Sequence, residues 1–362
     1  LRALEILLPM EPAMTAPWML PDFDDHEGFH IFRDPKAGLT AIIAIHSTYL
    51  GPSGGGTRFW HYAAPEAAIT DALRLSRGMS FKNAMAGLAM GGGKAVILAD
   101  ADRTKSPELI AAFARAVDSL GGRYVTAQDV GISAQDILDI SKGTKFVSGL
   151  PPKDGGAGGD PGPSTALGVF LGVKAAVKRA LGKDDMVGVH VAIQGVGSVG
   201  GGLARHLAAS GAKLTLADRD AAKAAALAAE LGGTSVDADA ILQVEADVLS
   251  PCALGAILDS QTIPMIKASV IAGGANNQLA RPEHGDAVQA RGILYAPDYV
   301  INAGGIINVA LEYLDGADRA AVDAKISGIP DRLNAVWDES AATGDNPAKV
   351  ADRMAQKLIG RG

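Results

Sequence analysis

The segment Gly195-Val196-Gly197-Ser198-Val199-Gly200 follows an apolar strand pattern, Val189–Gln194, and opens a helical one, Val199–Ala209. Strand, glycine turn and helix in that order form the dinucleotide-binding fingerprint. Gly195 would make the tight turn, Gly197 would admit a pyrophosphate to the backbone, and Gly200 would let the helix pack on the strand. The anion would then lie at a helix N-terminus, among unpaired amides. Asp218 ends the next strand pattern, 18 residues beyond Gly200, and is placed to accept from ribose hydroxyls. Its carboxylate would repel a 2′-phosphate and Arg219 offsets part of that, so the residues favour NAD over NADP. Glycine-rich turns also arise by chance in a chain with 45 glycines. The flanking strand, helix and acid argue against chance here.

Strand-like and helical patterns alternate along the 362 residues, which predicts an α/β chain of two domains. Strands are expected at Ala41–His46, Lys94–Leu98 and Tyr124–Ala127, and helices over Pro65–Arg77, from Pro107 to Gly121, and after Ser133. Gly149–Pro163 is mostly Gly, Pro and Asp and reads as a linker, a disordered loop or an ordered ligand loop. Beyond it, helix, strand, helix, strand follow again, with a helical tail in which Pro330 is expected to make a kink. The net charge of −7 gives no electrostatic footprint for nucleic acid. No run reaches the roughly 18 apolar residues of a membrane span. A single cysteine, Cys252, excludes an internal disulfide framework, and no metal is expected. These features fit a cytoplasmic protein. The first ten or so residues, which begin with Leu, read as processed or extraneous to the mature fold.

The first half carries Ser80-Phe81-Lys82-Asn83 and Gly91-Gly92-Gly93-Lys94. A lysine is ordinarily a solvated surface charge. Lys94, however, heads an apolar strand directly after three glycines. Desolvation and a second ammonium would both lower its pKa towards that of a general base. Asp129 follows a short strand, where α/β proteins place chemistry, although an Asx turn before Gly131 is an equal reading. Asn276 and Asn277 also follow a strand pattern and are either ligands or a helix cap.

TRFWHYAAPEAAITDALRLSRGMSFKNAMAGLAMGGGKAVI, RYVTAQDVG, GGAGGDPGPSTALGVF, GVGSVGG and ANNQLARPEHGDAVQARGILYAPDYVINAGGIINV together resemble the glutamate/leucine/phenylalanine/valine dehydrogenase family, in its leucine, valine and phenylalanine branch. The resemblance runs from about Gly28 to the C-terminus. It implies NAD-dependent, reversible oxidative deamination of an L-amino acid to a 2-oxo acid and ammonia. It also implies an N-terminal α/β substrate and oligomerisation domain, 1–148, completed by helices in 334–362. A Rossmann NAD-binding domain, 149–333, would lie across a deep cleft. Lys82 would hold the substrate carboxylate, Lys94 would activate water, and Asp129 would move protons to and from the amine. The backbone at Gly55–Gly56 and the Asn277 side chain would also hold the amino acid. Thr165 and Asn276, with Val196, Ser198, Val199 and the fingerprint glycines, would belong to the cofactor site. The family further implies homo-oligomers built from dimers.

By the same resemblance the side-chain pocket is formed by Gly54, Ala127, Ile306 and Val309. All are apolar, so a second carboxylate such as glutamate's would lack a partner. Gly54 stands where leucine enzymes carry a larger residue and is expected to open the pocket. Leucine-like substrates come first and phenylalanine second, with overlap, since one methylene discriminates weakly. Two rivals remain. A 2-hydroxy acid dehydrogenase would rely on a His–carboxylate pair, yet His190, His206 and His284 read as structural or surface residues. A non-catalytic dinucleotide-binding protein would be expected to have lost Lys94 or Asp129.

Overall fold

The computed structural model describes residues 16–152, 156–253 and 255–361, and the expectation for the first ten residues lies outside these. Five strands form the first sheet: β1 (Gly28–Asp34), β2 (Leu39–Ser47), β3 (Ser53–Trp60), β4 (Gly91–Leu98) and β5 (Tyr124–Gln128). Their spatial order is β1-β2-β4-β3-β5. β2 runs antiparallel to both its neighbours, whereas β3 is parallel to β4 and to β5. Three helices cover this sheet: α1 (Pro65–Met85), α2 (Pro107–Asp118) and α3 (Ala134–Ser141). Ala68 and Ala72 of α1 pack on Ile42, Ala44 and Val96. On the opposite face α2 and α3 bring Phe113, Val117, Ile137 and Ile140 against Ile43, Ile97 and Tyr124. The helix starts follow local chemistry. Ser106 accepts from the Leu109 amide, and Ser133 with Asp136 closes a reciprocal capping box.

The second sheet is wholly parallel. Its strands are β6 (His190–Gln194), β7 (Lys213–Ala217), β8 (Thr234–Ser235), β9 (Val248–Pro251), β10 (Val270–Ile271) and β11 (Leu294–Tyr295). They lie in the order β11-β10-β9-β6-β7-β8. The winding reverses between β6 and β9, so the carboxyl end of β6 is the switch point where such sheets bind ligands. Around it run α4 (Gly162–Leu181), α5 (Ser198–Ala209), α6 (Ala221–Leu231), α7 (His284–Ala290), α8 (Asp298–Ile301), α9 (Gly304–Asp315), α10 (Arg319–Ile326), α11 (Ile329–Thr343) and α12 (Pro347–Leu358). This is the α/β class that the alternation predicted, built here on two sheets.

Three features differ from expectation. β1 and β3 are strands that the sequence pattern did not suggest. β3 reads Ser-Gly-Gly-Gly at its start, and glycine disfavours strands unless another backbone comes close, as happens here. Pro330 does not kink a helix: α10 ends at Ile326, and Pro330 sits in the first turn of α11, where its missing N–H costs nothing. Residue 334, from which the C-terminal helices are expected to complete the first domain, lies within α11; α11 packs on α4 and α8, and α12 on α1. Val350, Ala351 and Ala355 of α12 share a core with Phe81 and Met85.

Trp337 fastens α11 to the last strand. It is 2% exposed, and its indole N–H donates to the Tyr295 carbonyl at 2.9 Å. Replacing it by Phe keeps most of the apolar contact but leaves that buried carbonyl unpaired, so Trp337→Phe should lower unfolding stability by about 1–3 kcal/mol in a urea titration. An unchanged midpoint would show that the carbonyl finds another partner.

Candidate active site

The triple glycine before Lys94 is a packing device. A Cβ on Gly92 would collide with the backbone nitrogen of Ser80 in α1. Only glycine lets the last turns of α1 lie on the start of β4. That contact brings Lys82, two residues beyond Ser80, to the face of the sheet that carries Lys94. Successive strand residues alternate between faces. Lys94 and Val96 therefore face α1, and so do Gly54 and Gly56 of β3 and their register partners Val125 and Ala127 of β5. Asp129 continues the alternation from Ala127.

Lys94 is 6% exposed, and its Nζ lies 2.6 Å from Asp129 Oδ2. Arg58, two residues beyond Gly56 on the same face, brings its Nε to 3.4 Å from the same oxygen and its Nη1 to 2.7 Å from Asp71. Burial alone would raise the Asp129 carboxyl. The ammonium of Lys94 and the guanidinium of Arg58 outweigh it and hold the carboxyl below its ordinary value. Burial acts the other way on Lys82, whose ammonium is pushed down to about 8; Asp298 and Asp129 counter that shift and Lys94 adds to it. Lys82 and Lys94 place two cations beside Asp129, with Arg58 a third on the same oxygen and Asp298 an opposing charge felt by Lys82. The glycine segment of β3 is pinned by neighbours. Tyr124 donates to the Gly55 carbonyl at 2.6 Å, and Asn83 donates to Gly91 at 2.6 Å and, more weakly, to Gly54 at 3.4 Å.

Asn277 lies across a cavity of about 830 Å³ that Arg58, Phe81 and Asp298 also line. Its backbone is left-handed, with φ of 51°, a conformation asparagine tolerates. Asn276 is exposed, and its side-chain oxygen accepts from Asn302 at 2.8 Å, so both asparagines sit in a loop and neither caps a helix. On α9, Ile306 is half-buried and Val309 buried. The helix starts against Ser164 and Thr165 because Gly304 and Gly305 have no side chains to collide there. The described part of the Gly149–Pro163 segment folds back on α9. Asn308 accepts from the Gly158 amide and donates to its carbonyl, and Glu312 accepts from the Gly149 amide at 2.7 Å.

At the switch point Gly195 has φ of +89°, closed to most side chains. A Cβ on Gly200 would collide with the Gly195 carbonyl, whereas nothing lies within 4 Å of one on Gly197. Gly197 is the N-cap of α5, and Ser198 is exposed beside it. The turn therefore leaves open backbone at a helix N-terminus, which fits a dinucleotide's phosphates. Val196 is buried and Val199 half-buried. Asp218 Oδ2 accepts from the Val196 amide at 2.8 Å. That amide, ahead of others, holds the carboxyl below its ordinary value despite some burial, while Arg219 is exposed.

One expectation fails on geometry. Gly54 does not open a space, because a Cβ there would collide with Cε of Met90 and lie 3.2 Å from its sulfur. Met90 fills the place. Arg58, Asn83, Tyr124, Asp298 and Asn308 were not anticipated either. Reading β3 as a strand would have put Arg58 on the face of Gly54 and Gly56. The others are ordinary polar residues whose partners are distant in sequence.

A sheet that holds a lysine–aspartate pair beside a second lysine, joined to a Rossmann unit, is the arrangement of an α/β oxidoreductase. Comparison with known proteins defines it further. The Glu/Leu/Phe/Val dehydrogenase dimerisation domain matches residues 26–145, and the Glutamate/Leucine/Phenylalanine/Valine dehydrogenase model matches residues 220–358. Leucine dehydrogenase of Geobacillus stearothermophilus is 49% identical over 337 residues, 92% of this chain and 91% of that one. Valine dehydrogenase of Streptomyces coelicolor is 45% identical, covering 93% of each. The crystal structure of L-tryptophan dehydrogenase from Nostoc punctiforme superposes with a TM-score of 0.81 at 42% identity, over 92% of this chain and 96% of that one. The chain belongs to the glutamate/leucine/phenylalanine/valine dehydrogenase family and is an amino-acid dehydrogenase.

Arg58 gives the site a pH signature. Removing its guanidinium takes away a charge that keeps Asp129 ionised, so the carboxyl pKa rises. In Arg58→Met the acidic limb of kcat/KM should therefore move to higher pH, while the wild-type plateau is approached on the alkaline side. A limb that stays in place would mean that Asp129 does not govern it.

Proposed function

We propose that the protein catalyses NAD-dependent, reversible oxidative deamination of a large apolar L-amino acid, leucine before phenylalanine, to its 2-oxo acid and ammonia. The observation that carries this reading is the buried Lys94–Asp129 pair with Lys82 beside it, on a sheet face that also carries Arg58, Gly54, Gly56, Val125 and Ala127. Lys82 binds the substrate carboxylate. The backbone of Gly55 and Gly56 and the side chain of Asn277 complete the hold on the amino acid. Gly195, Val196, Gly197, Ser198, Val199 and Gly200 hold the NAD pyrophosphate, Asp218 the adenosine ribose, with Arg219 next to it, and Thr165 and Asn276 the nicotinamide end. The nicotinamide supplies the hydride acceptor. Asp129 takes a proton from the substrate ammonium before Cα is oxidised. Lys94, as the neutral amine, then takes a proton from the water that adds to the iminium, and Asp129 returns its proton to the amine that departs as the carbinolamine collapses to the 2-oxo acid. The pair at 2.6 Å suits such exchange, because a proton lost by one partner changes the charge felt by the other.

In this reading residues 1–148, completed by the helices of 334–362, of which α12 packs on α1, form the substrate and oligomerisation domain, and residues 149–333 the Rossmann domain. The match to a dimerisation domain supports a homo-oligomer built from dimers. A cytoplasmic setting goes with it; among the described residues no helix is long and apolar enough to cross a membrane. Gly54, Ala127, Ile306 and Val309 line the substrate side chain, with no charge to meet a second carboxylate.

NADH formation from a panel of L-amino acids tests the reading. Leucine, valine and phenylalanine should be oxidised and glutamate should not, because an unpaired buried carboxylate costs several kcal/mol. Comparable turnover of glutamate would overturn the substrate assignment. Lys82→Ala should raise KM for leucine about 10- to 100-fold with kcat changed far less, since a carboxylate contact is made in ground and transition states alike. An unchanged KM would remove Lys82 from substrate binding.

A further inference from the structure

Gly54 and Met90 occupy one volume between them. Met90 precedes β4, is 2% exposed, and sends its thioether into the space that a side chain at residue 54 would take. It packs in the same core as Val125, the register partner of Gly54, and Ala157, on the face of the sheet that carries Ala127 and the Lys94–Asp129 pair. We propose that Met90 is a specificity-determining residue, the wall of the side-chain pocket that stands in for the missing side chain of Gly54. This rests on the reading of the protein as a dehydrogenase of large apolar amino acids.

The chemistry of the residue matters. Methionine is unbranched, with three rotatable bonds and a polarizable sulfur, and it fills irregular spaces without a single required shape. A branched side chain on β3 would fix the pocket wall to a strand. Met90 hangs from the segment ahead of β4, and its terminal methyl can swing aside while the backbone stays in place. The pocket that results is adjustable: closed around an aliphatic side chain and widened for an aromatic one. Asn83, whose amide nitrogen lies 3.8 Å from the same would-be Cβ, holds the Gly54 and Gly91 carbonyls and so keeps the two strands that frame Met90 at their spacing.

The test is the ratio of kcat/KM for phenylalanine over leucine in wild type, Met90→Ala, Gly54→Leu and the double variant. Met90→Ala should raise the ratio about ten-fold or more, as expected for several methylene-sized groups removed from a pocket. Gly54→Leu should lower it, because leucine drives the thioether into the pocket. The double variant should return towards the wild-type ratio, so the two effects should not add. Dinucleotide affinity and the urea midpoint, measured on each variant, separate a changed pocket from a damaged fold. Should the alanine variant be too unstable to assay, Met90→Val gives the same ratio test with a smaller volume change. A ratio within about two-fold of wild type in a folded Met90 variant that still oxidises leucine would overturn the proposal and leave the dehydrogenase reading standing. Failure of the wild type to oxidise any amino acid would instead overturn that reading.

Discussion

An ammonium and a carboxylate 2.6 Å apart, with the lysine almost wholly out of water, must be satisfied from within the protein. Desolvating both charges is expensive, and their attraction offsets that cost only with good geometry and further partners. Here the partners are Arg58 on one side and Lys82 within electrostatic reach on the other. Much of the first sheet is arranged to deliver them. β4 supplies Lys94, β5 leads to Asp129, β3 carries Arg58, and α1 carries Lys82 in its last turn. Glycine at position 92 is what allows the helix and the strand to come close enough.

On the Rossmann side, the open backbone at Gly197 and the tethered Asp218 are separate provisions, built by a different sheet. In the proposed reading helix α9 serves both the substrate pocket and the cofactor site. Its first turn, at Gly304 and Gly305, lies against Thr165, its middle carries Ile306 and Val309, and Asn308 and Glu312 hold the loop that leads into α4. A change in that helix would reach pocket and cofactor side together.

Much of this was legible in the sequence, for identifiable reasons. The Rossmann half follows a strong periodic pattern, and its glycine turn sits in the one context that gives it meaning. Lys94 stood out because a lysine opening an apolar strand is unusual. What sequence reasoning missed has a common cause. β3 was hidden because Ser53-Gly54-Gly55-Gly56 has none of the branched residues that mark strands. Without β3, the same-face relation of Gly54, Gly56 and Arg58 was invisible, and Gly54 looked like empty space. Only the neighbouring strand order brings Met90 over it. Pro330 was misjudged because the apolar stripe continues across the break between α10 and α11, and periodicity alone does not show a helix ending.

The central claim is that Lys94 acts as the base of the reaction and that its pairing with Asp129 exists for that purpose. The most direct test is kcat for leucine oxidation in Lys94→Ala, with NAD affinity measured on the same preparation by fluorescence titration. The account predicts kcat lower by about 10²–10⁴-fold with NAD affinity within about two-fold of wild type, because the lysine lies on the sheet that does not hold the dinucleotide. Near-normal turnover in the variant would contradict it.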